Sequence, residues 1–362
     1  MMTQSMTAKE RLLAALRGQE IDRPTWSPFL AYWWEEHPEL SNSMSMLEFL
    51  DGIGADPLIR GGGLAWDIAF KDTQTREVVR GNKRYNTWET PVGTLEMEHS
   101  YSKAGNTWFI TKHPIEDAEQ LKILMWMYER AVVTYNTNAD EAVREAGDRG
   151  LIVPLVGSEG KTCFQSFVEK WIGTENLAYM ALDEPEALEE CLQVMWRASE
   201  KTIDHSVNSL ADAFIFWEDT STTNINPAMF RRFVMPEITM WGNKIHAAGK
   251  MLLHHACGHL RGLLPLMSEL PIDAIESISP PPTGNIDLPE AFGMIREDIA
   301  LIGGIEPVFY TGCTDEELTR RIDYLLSKCA GRRLMLANSD SCPPNVTQHQ
   351  LKLPADYLAG KK

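Results

Sequence analysis

Residues 254–259 read HHACGH, a stretch that holds three of the nine histidines and one of the six cysteines of this 362-residue chain. His255 and Cys257 are two positions apart, so in an extended strand both side chains point to the same side and can bind one ion. His254 then points to the opposite side, and we interpret it and His259, which we expect to begin the next helix, as structural. A buried thiol beside a histidine that binds a backbone carbonyl is the alternative.

More donors of the same chemical kind lie elsewhere in the chain. Cys342 ends an apolar run in SDSCPP, and a His-Cys-Cys set suits zinc, with a fourth position for water, substrate or a carboxylate. Glu218 and Asp219 follow the apolar stretch FIFW, where a carboxylate needs a cation, a donor or a proton. Either is a candidate general acid, and Glu218 or Glu276 is a candidate fourth zinc ligand. Loop capping is the alternative role for Glu218 and Asp219.

A repeated alternation of strands and helices must position these residues. Short apolar runs predict buried parallel strands at 25–29, 56–59, 151–156, 213–217, 251–255, 273–278, 299–303 and 333–337. Helical patterns lie at 7–16, 185–208, 227–248, 260–269 and 315–330. This order predicts an α/β protein, a (β/α)₈ TIM barrel with an N-terminal helix, and the site at the carboxyl ends of its strands. An open doubly wound sheet is the alternative.

The segment 65–115 interrupts this rhythm. Its stretches REVVRG, YNTWETPVG, TLEMEHSYS and NTWFITK alternate polar and apolar residues between Gly-Asn and Val-Gly turns. They predict an antiparallel β insertion after the second strand. Since no linker or repeat marks a second domain, residues 1–362 are expected to form one domain.

Aromatic side chains are concentrated where the predicted strands end, and we interpret them as substrate-binding residues. They are Tyr32, Trp33, Trp34, Trp66 and Trp217. An aromatic wall suits a flat ring, a methylated cation or a tetrapyrrole face. The stretch RGGG at 60–63 lacks a following Lys-Ser or Lys-Thr, so we interpret it as a flexible loop rather than a phosphate cradle.

The composition excludes several classes of partner. The chain is 44% hydrophobic and 23% charged, with a formal net charge of −17 and no basic cluster, which argues against nucleic acid. No apolar run reaches the roughly 20 residues of a membrane span, and the start MMTQSMTAKERLLAALRG lacks a signal-peptide core. We therefore expect no membrane partner, a cytoplasmic location, and cysteines that are free thiols or metal ligands.

Several longer stretches together resemble the uroporphyrinogen decarboxylase superfamily over essentially the whole chain. These are TAKERLLAALRGQEIDRP, WETPVGTLE, FWEDTSTTNINPAMFRRFVMPEITMWGNKIHAAGKMLLHHACG and LIGGIEP. The resemblance implies a (β/α)₈ barrel with its site at the carboxyl-end mouth.

The resemblance also separates two chemistries. The decarboxylases carry an arginine-rich RQAGR-type stretch after the first strand, whereas this chain reads SPFLAYWWEEHPEL there and has no arginine between Arg23 and Arg60. The other branch, cobalamin-dependent methyltransferases, carries a zinc motif HxC followed far downstream by Cys. That motif corresponds here to His255, Cys257 and Cys342, although SDSCPPNV departs from the glycine-rich form around the last ligand.

Within this branch we hypothesise a zinc-dependent O-demethylation, because the predicted mouth is rich in tryptophan and lacks basic residues for a sulfonated or polycarboxylated thiol. A methyl group leaves a methoxylated aromatic substrate for the Co(I) corrinoid of a partner protein, with zinc or a protonated Glu218 or Asp219 taking up charge on oxygen. No DxHxxG signature is present, so we expect the corrinoid on another chain. The alternatives are methyl transfer from a methylcorrinoid to a thiol of the coenzyme M type, uroporphyrinogen decarboxylation, and a non-catalytic binding protein.

Overall fold

The computed structural model describes residues 5–103 and 107–361. Asn106, which the sequence places in the last strand of the insertion, and residues 1–4 of the N-terminal segment lie outside the described residues. The strands are β1 Leu58–Arg60, β2 Trp66–Phe70, β3 Gln74–Arg80, β4 Lys83–Thr90, β5 Gly93–Ser102, β6 Thr107–Lys112, β7 Ala131–Tyr135, β8 Leu151–Val153, β9 Ala213–Glu218, β10 Met251–Ala256, β11 Ala274–Ile278, β12 Ala300–Ile305 and β13 Leu334–Asn338.

The protein is an α/β fold built around parallel strands. Five of them, rich in Ala, Ile and Leu, pair in the order β13-β12-β11-β10-β9, and β1 pairs in parallel with β8. A parallel bridge between Leu155 and Ile215 links the chain after β8 to β9. Another bridge links Trp26 to Leu336 in β13, and the Asp56 N–H donates to the Trp26 carbonyl oxygen at 2.7 Å.

The predicted first strand at 25–29 is reduced to that bridge at Trp26. Pro28 has no N–H and cannot continue the ladder. The chain there still lies beside β13, since the Ser27 N–H donates to the Leu336 carbonyl.

The two faces of the parallel strands pack against different partners. Alternate residues such as Ile215 and Leu253 form a smaller apolar cluster that also holds Leu12 and Leu16 of the N-terminal helix. The intervening residues, such as Phe214, join the large cluster that the surrounding helices supply. We call the first face the inner face and the second the outer face.

Helices precede or follow most of the strands. They are α1 Ala8–Arg17, α2 Tyr32–Glu35, α3 Pro38–Ser41, α4 Met46–Gly52, α5 Ala118–Glu129, α6 Asn138–Ala146, α7 Cys163–Ser166, α8 Thr174–Asp183, α9 Pro185–Val207, α10 Pro227–Met229, α11 Met235–Ala247, α12 Leu264–Met267, α13 Leu288–Ala291, α14 Pro307–Gly312, α15 Asp315–Lys328 and α16 Gln348–Ala359. Two π-helical segments, Phe167–Trp171 and Phe230–Val234, continue α7 and α10. Among the described residues no helix is long and apolar enough to cross a membrane.

Helix α1 begins where the sequence indicates. The Thr7 side chain accepts a hydrogen bond from the Glu10 N–H and the Glu10 carboxylate accepts one from the Thr7 N–H, which forms a capping box. The helix ends at Gly18, whose φ of 68° is a left-handed conformation that favours glycine.

The β insertion differs from the predicted 65–115. Strands β3 to β6, spanning 74–112, form a four-stranded antiparallel sheet, but β2 does not belong to it. β2 pairs instead with β7, which follows helix α5, so the inserted structure extends to Tyr135. The β2–β7 pairing joins segments more than 60 residues apart, and no local turn signal specifies it.

Candidate functional site

The carboxyl ends of the parallel strands enclose a cavity of about 370 Å³. Its wall is mostly apolar. The lining residues are Pro28, Phe29, Leu30, Ala31, Met46, Leu58, Arg60, Gly61, Leu155 and Trp217. This is the position at which ligands bind in folds with parallel strands.

Of the five aromatic residues predicted to bind substrate, Trp217 lines the cavity. Trp33 and Trp34 turn away from it: both pack on Phe49, and the buried Trp33 indole N–H donates to the Val346 carbonyl. Trp66 belongs to a small separate cluster with Ala65 and Ala139. The predictions for Trp33, Trp34 and Trp66 were therefore wrong, because a side chain after a strand can turn toward the helices as readily as toward the mouth.

Tyr32 has an intermediate position. Its side chain is 62% exposed, and its backbone N–H donates to the Ser341 hydroxyl. Burial raises the pKa of its phenol, and the charges of Asp219 and Asp340 raise it further. Tyr32 therefore lies near the strand ends without lining the cavity.

His255 and Glu276 form a buried pair on the inner face. The register of β10 and β11 places them side by side, and His255 Nδ1 lies 3.0 Å from Glu276 Oε2. The His255 ring stacks on Trp217 with centroids 4.3 Å apart. Because its Nδ1 is engaged by Glu276, the other ring nitrogen, Nε2, is the one left to meet a ligand.

Arg60 completes this group, although the sequence led us to interpret its segment as a flexible loop. Its Nε donates to Glu276 Oε1 at 2.5 Å, and its side chain is only 3% exposed. Burial opposes ionisation of Glu276, but Arg60 and His255 outweigh burial and hold the pKa of Glu276 below its ordinary value. Arg60 is the last residue of a parallel strand, a position at which functional residues are common in this kind of fold.

A second group, made of thiol and carboxyl side chains, lies beside the first. Cys257 Sγ is 3.6 Å from Asp219 Oδ1. Burial raises the pKa of the Cys257 thiol, and the nearby Asp340 and Asp219 carboxylates add to this effect. The thiol is therefore protonated at neutral pH when no ligand is bound.

Asp340 is a site residue that the sequence analysis missed. Burial raises the pKa of its carboxyl, His255 and the Ser341 N–H lower it, and Asp219 and Glu276 raise it again. It follows the last parallel strand in SDSC, two positions before the cysteine that we chose. Its place after a strand end was the available signal.

Glu218 does not join these groups. It lies on the outer face of β9, fully buried, and accepts hydrogen bonds from the Thr162 N–H at 2.8 Å and the Thr220 hydroxyl at 2.6 Å. His254, on the same face of β10, lies 3.5 Å away, and its ring packs at a tilt against Phe216. Burial opposes ionisation of Glu218, but His254 and these donors hold its pKa below the ordinary value.

The assignments of Glu218 as a fourth ligand and a catalytic acid are therefore corrected. Trp217 and Glu218 are consecutive in a strand and must face opposite sides, so the strand alternation that we used for His254 also excluded Glu218. His254 has the outward orientation that alternation predicts. His259 lies in the loop before α12 rather than at a helix start, and its backbone N–H donates to the Ser221 hydroxyl.

Among the described residues Cys342 is not placed to share a metal ion with His255 and Cys257. It is fully buried within the large apolar cluster, and its Sγ lies 3.8 Å from the Pro343 carbonyl oxygen. Burial raises the pKa of its thiol. All six cysteines are free thiols.

The donors as arranged do not fit the zinc site expected from the resemblance. In residues 5–103 and 107–361, no three His, Cys, Asp or Glu side chains are placed to hold one metal ion. Glu276 is engaged by Arg60 and His255, and Cys342 belongs to the core. At the mouth His255, Cys257, Asp219 and Asp340 are of a chemical type that binds metals, but their placement does not form a metal site.

Comparison with known proteins adds a family and a fold. The family described as uroporphyrinogen decarboxylase (URO-D) matches residues 109–353. No curated protein matches the chain. A solved structure titled "methyltransferase from Methanosarcina mazei" is 14% identical, with 98% of this chain and 99% of that chain covered and a TM-score of 0.62. A B12-independent methionine synthase from Shewanella sp. W3-18-1 is 11% identical, covering 93% and 95%, with a TM-score of 0.45.

Proposed function

We propose that this chain, which belongs to the uroporphyrinogen decarboxylase family, is a methyltransferase. It takes a methyl group from a methoxylated aromatic compound and passes it to the Co(I) corrinoid of a partner protein. The parallel strands form a closed (β/α)₈ barrel in this proposal, since the links from Trp26 through β13 to β9, Leu155, β8, β1 and Asp56 return to Trp26.

The observation that carries the proposal is the character of the cavity. Phe29 and Trp217 meet edge to face with centroids 4.8 Å apart, and the rest of the wall is mostly aliphatic. A volume of about 370 Å³ accommodates a single substituted aromatic ring. A neutral aromatic ether is therefore a suitable occupant.

The charges argue against a polycarboxylate substrate. Arg60 is the charged residue among the described residues that line the cavity, and Glu276 already neutralises it. The Asp219 carboxylate, 3.6 Å from Cys257 Sγ, adds negative charge nearby. A porphyrinogen with several carboxylates requires several free cations, so decarboxylation is disfavoured here.

The structurally similar protein from Methanosarcina mazei is a methyltransferase. At 14% identity its likeness concerns the fold, so it supports the proposal only as a precedent for that fold.

The side chains at the mouth have distinct tasks in this reaction. Phe29 and Trp217 hold the ring, and the mostly apolar wall limits the access of water to the methyl carbon. We assign to Asp340, whose carboxyl pKa is raised by burial, the transfer of a proton to the departing oxygen. No step depends on a metal, because the donors do not fit the expected zinc site.

The proposal is tested by supplying the purified protein with cobalamin reduced to Co(I) and a panel of methoxyarenes. We expect methylcobalamin and one equivalent of the corresponding phenol from at least one member of the panel. Methylation of a thiol by methylcobalamin, with no transfer from any methoxyarene, would assign the reverse class of enzyme. Formation of coproporphyrinogen from uroporphyrinogen would assign the decarboxylase.

A further inference from the structure

Arg60 is unusual among the residues that line the cavity. Its side chain is only 3% exposed, and its neighbours in the wall are apolar. The guanidinium carbon also lies 5.3 Å from the centroid of the Phe29 ring, which belongs to the same wall. A buried charge requires hydrogen-bond partners, so the way in which its donors are used is informative.

The protein engages part of the hydrogen-bonding capacity of Arg60. A guanidinium has five N–H donors. In the described chain Nε donates to Glu276 Oε1, Nη1 to the Leu58 carbonyl at 3.0 Å, and Nη2 to the Ser27 carbonyl at 3.2 Å. One N–H on each Nη atom is left, at a side chain that lines the cavity.

These contacts also hold the guanidinium in place before any ligand binds. Carbonyls from the chain segments at Ser27 and Leu58 fix its two Nη atoms, and Glu276 fixes its Nε. Donors fixed in advance stabilise developing charge without a reorganisation cost at the moment of reaction. The Glu276 carboxylate neutralises the charge of Arg60 in the ground state, so a neutral ether enters beside a neutral pair.

We propose that Arg60 is a catalytic residue whose two remaining N–H groups bind the oxygen of the aromatic ether and stabilise the phenolate that leaves. This inference rests on the proposed function. It assigns to Arg60 the role that the sequence analysis gave to zinc, Glu218 or Asp219.

The step balances as a simple displacement. The electron pair of Co(I) forms the new bond to the methyl carbon while the bond between that carbon and the aryl oxygen breaks, and its electron pair stays on oxygen. Cobalt is oxidised by two electrons, the methyl group becomes the carrier's ligand, and the phenolate then takes a proton from Asp340 or water. The full negative charge thus develops at the oxygen that Arg60 contacts.

The test compares aryl methyl ethers whose phenols differ in acidity, in the wild type and in Arg60→Lys and Arg60→Met/Glu276→Gln. The double variant removes the guanidinium without leaving a buried carboxylate unpaired. We expect kcat to fall by about 10² to 10³ for ethers of weakly acidic phenols, as for the loss of an oxyanion donor, and by much less for nitro-substituted ethers. Arg321→Met, which removes an arginine paired with Asp287 away from the cavity, is the matched control and should retain wild-type rates.

A second measurement needs neither corrinoid nor methyl transfer. 4-Nitrophenol bound to the wild type should ionise at lower pH than in water, seen as phenolate absorbance, and this shift should disappear in the Arg60 variants. If the wild type transfers no methyl group but shows the shift, the proposed function fails and the oxyanion site stands. Equal losses of rate across the whole ether series, together with unchanged nitrophenol ionisation in the variants, would overturn the inference.

Discussion

Replacing Glu218 by alanine should lower the free energy of unfolding substantially without removing a catalytic group. The side chain is fully buried and accepts two hydrogen bonds, from the Thr162 N–H and the Thr220 hydroxyl. Hydrogen bonds to a charged group contribute about 1.5–3 kcal/mol each, so the two together contribute about 3–6 kcal/mol. Relief from burying the carboxylate offsets part of this, which leaves a loss of about 3–5 kcal/mol, as for other broken buried pairs.

Chemical denaturation followed by tryptophan fluorescence measures this loss as a lower midpoint at an unchanged slope. Glu218→Gln keeps the shape and an acceptor for the Thr162 N–H, and should lose about 1 kcal/mol. Asp219→Asn, at the neighbouring but exposed position, should change stability by less than about 0.5 kcal/mol.

Activity measured on the folded fraction separates stability from chemistry. Glu218→Ala should retain the wild-type rate of methyl transfer per folded molecule at low temperature. A Glu218→Ala protein as stable as the wild type but inactive would refute the placement of Glu218 on the outer face and return it to the site.

Three further outcomes are expected. Burial raises the pKa of Glu237 to about 7, above its value in the unfolded chain. The protonated carboxyl therefore contributes about 3 kcal/mol to the free energy of unfolding below about pH 4.5, and this contribution is lost as the pH rises through 7. In Glu237→Gln the denaturation midpoint should depend less on pH between about pH 5 and 8 than in the wild type, and an unchanged pH dependence would contradict this. Asp340→Asn should lower kcat by about 10² with little change in KM if it supplies the proton, and steady-state kinetics showing only a KM effect would contradict that role. Cys342→Ser should leave the zinc content of the purified protein unchanged, since the thiol is buried in the core; loss of zinc in elemental analysis would restore Cys342 as a ligand.

Period-two alternation made part of the site predictable. It places His255 toward the inner face and His254 away from it, and it puts Glu276 where it can meet His255. The observed register of β10 against β11 sets these two residues side by side. The same rule places Glu218 on the face opposite to Trp217, so alternation along this strand predicts that Glu218 does not belong to the site.

Other features depend on packing between distant segments. The burial of Arg60 depends on Glu276, which lies 216 positions later in the chain, and no local pattern announces such a pair. Trp33 donates to the Val346 carbonyl, 313 positions away, which draws its ring into the core rather than into the cavity wall. Residues after a strand end have no alternation to orient them, so their direction is decided by such contacts.

One labelling experiment tests the central claim most directly. A methoxyarene carrying an isotopic label in its methyl group is incubated with the protein and Co(I) cobalamin, and both products are quantified. The account predicts that the label appears on cobalt in a 1:1 ratio to the phenol formed, at a rate proportional to protein concentration. Label that stays in the ether, while a thiol accepts methyl from methylcobalamin under the same conditions, would contradict it.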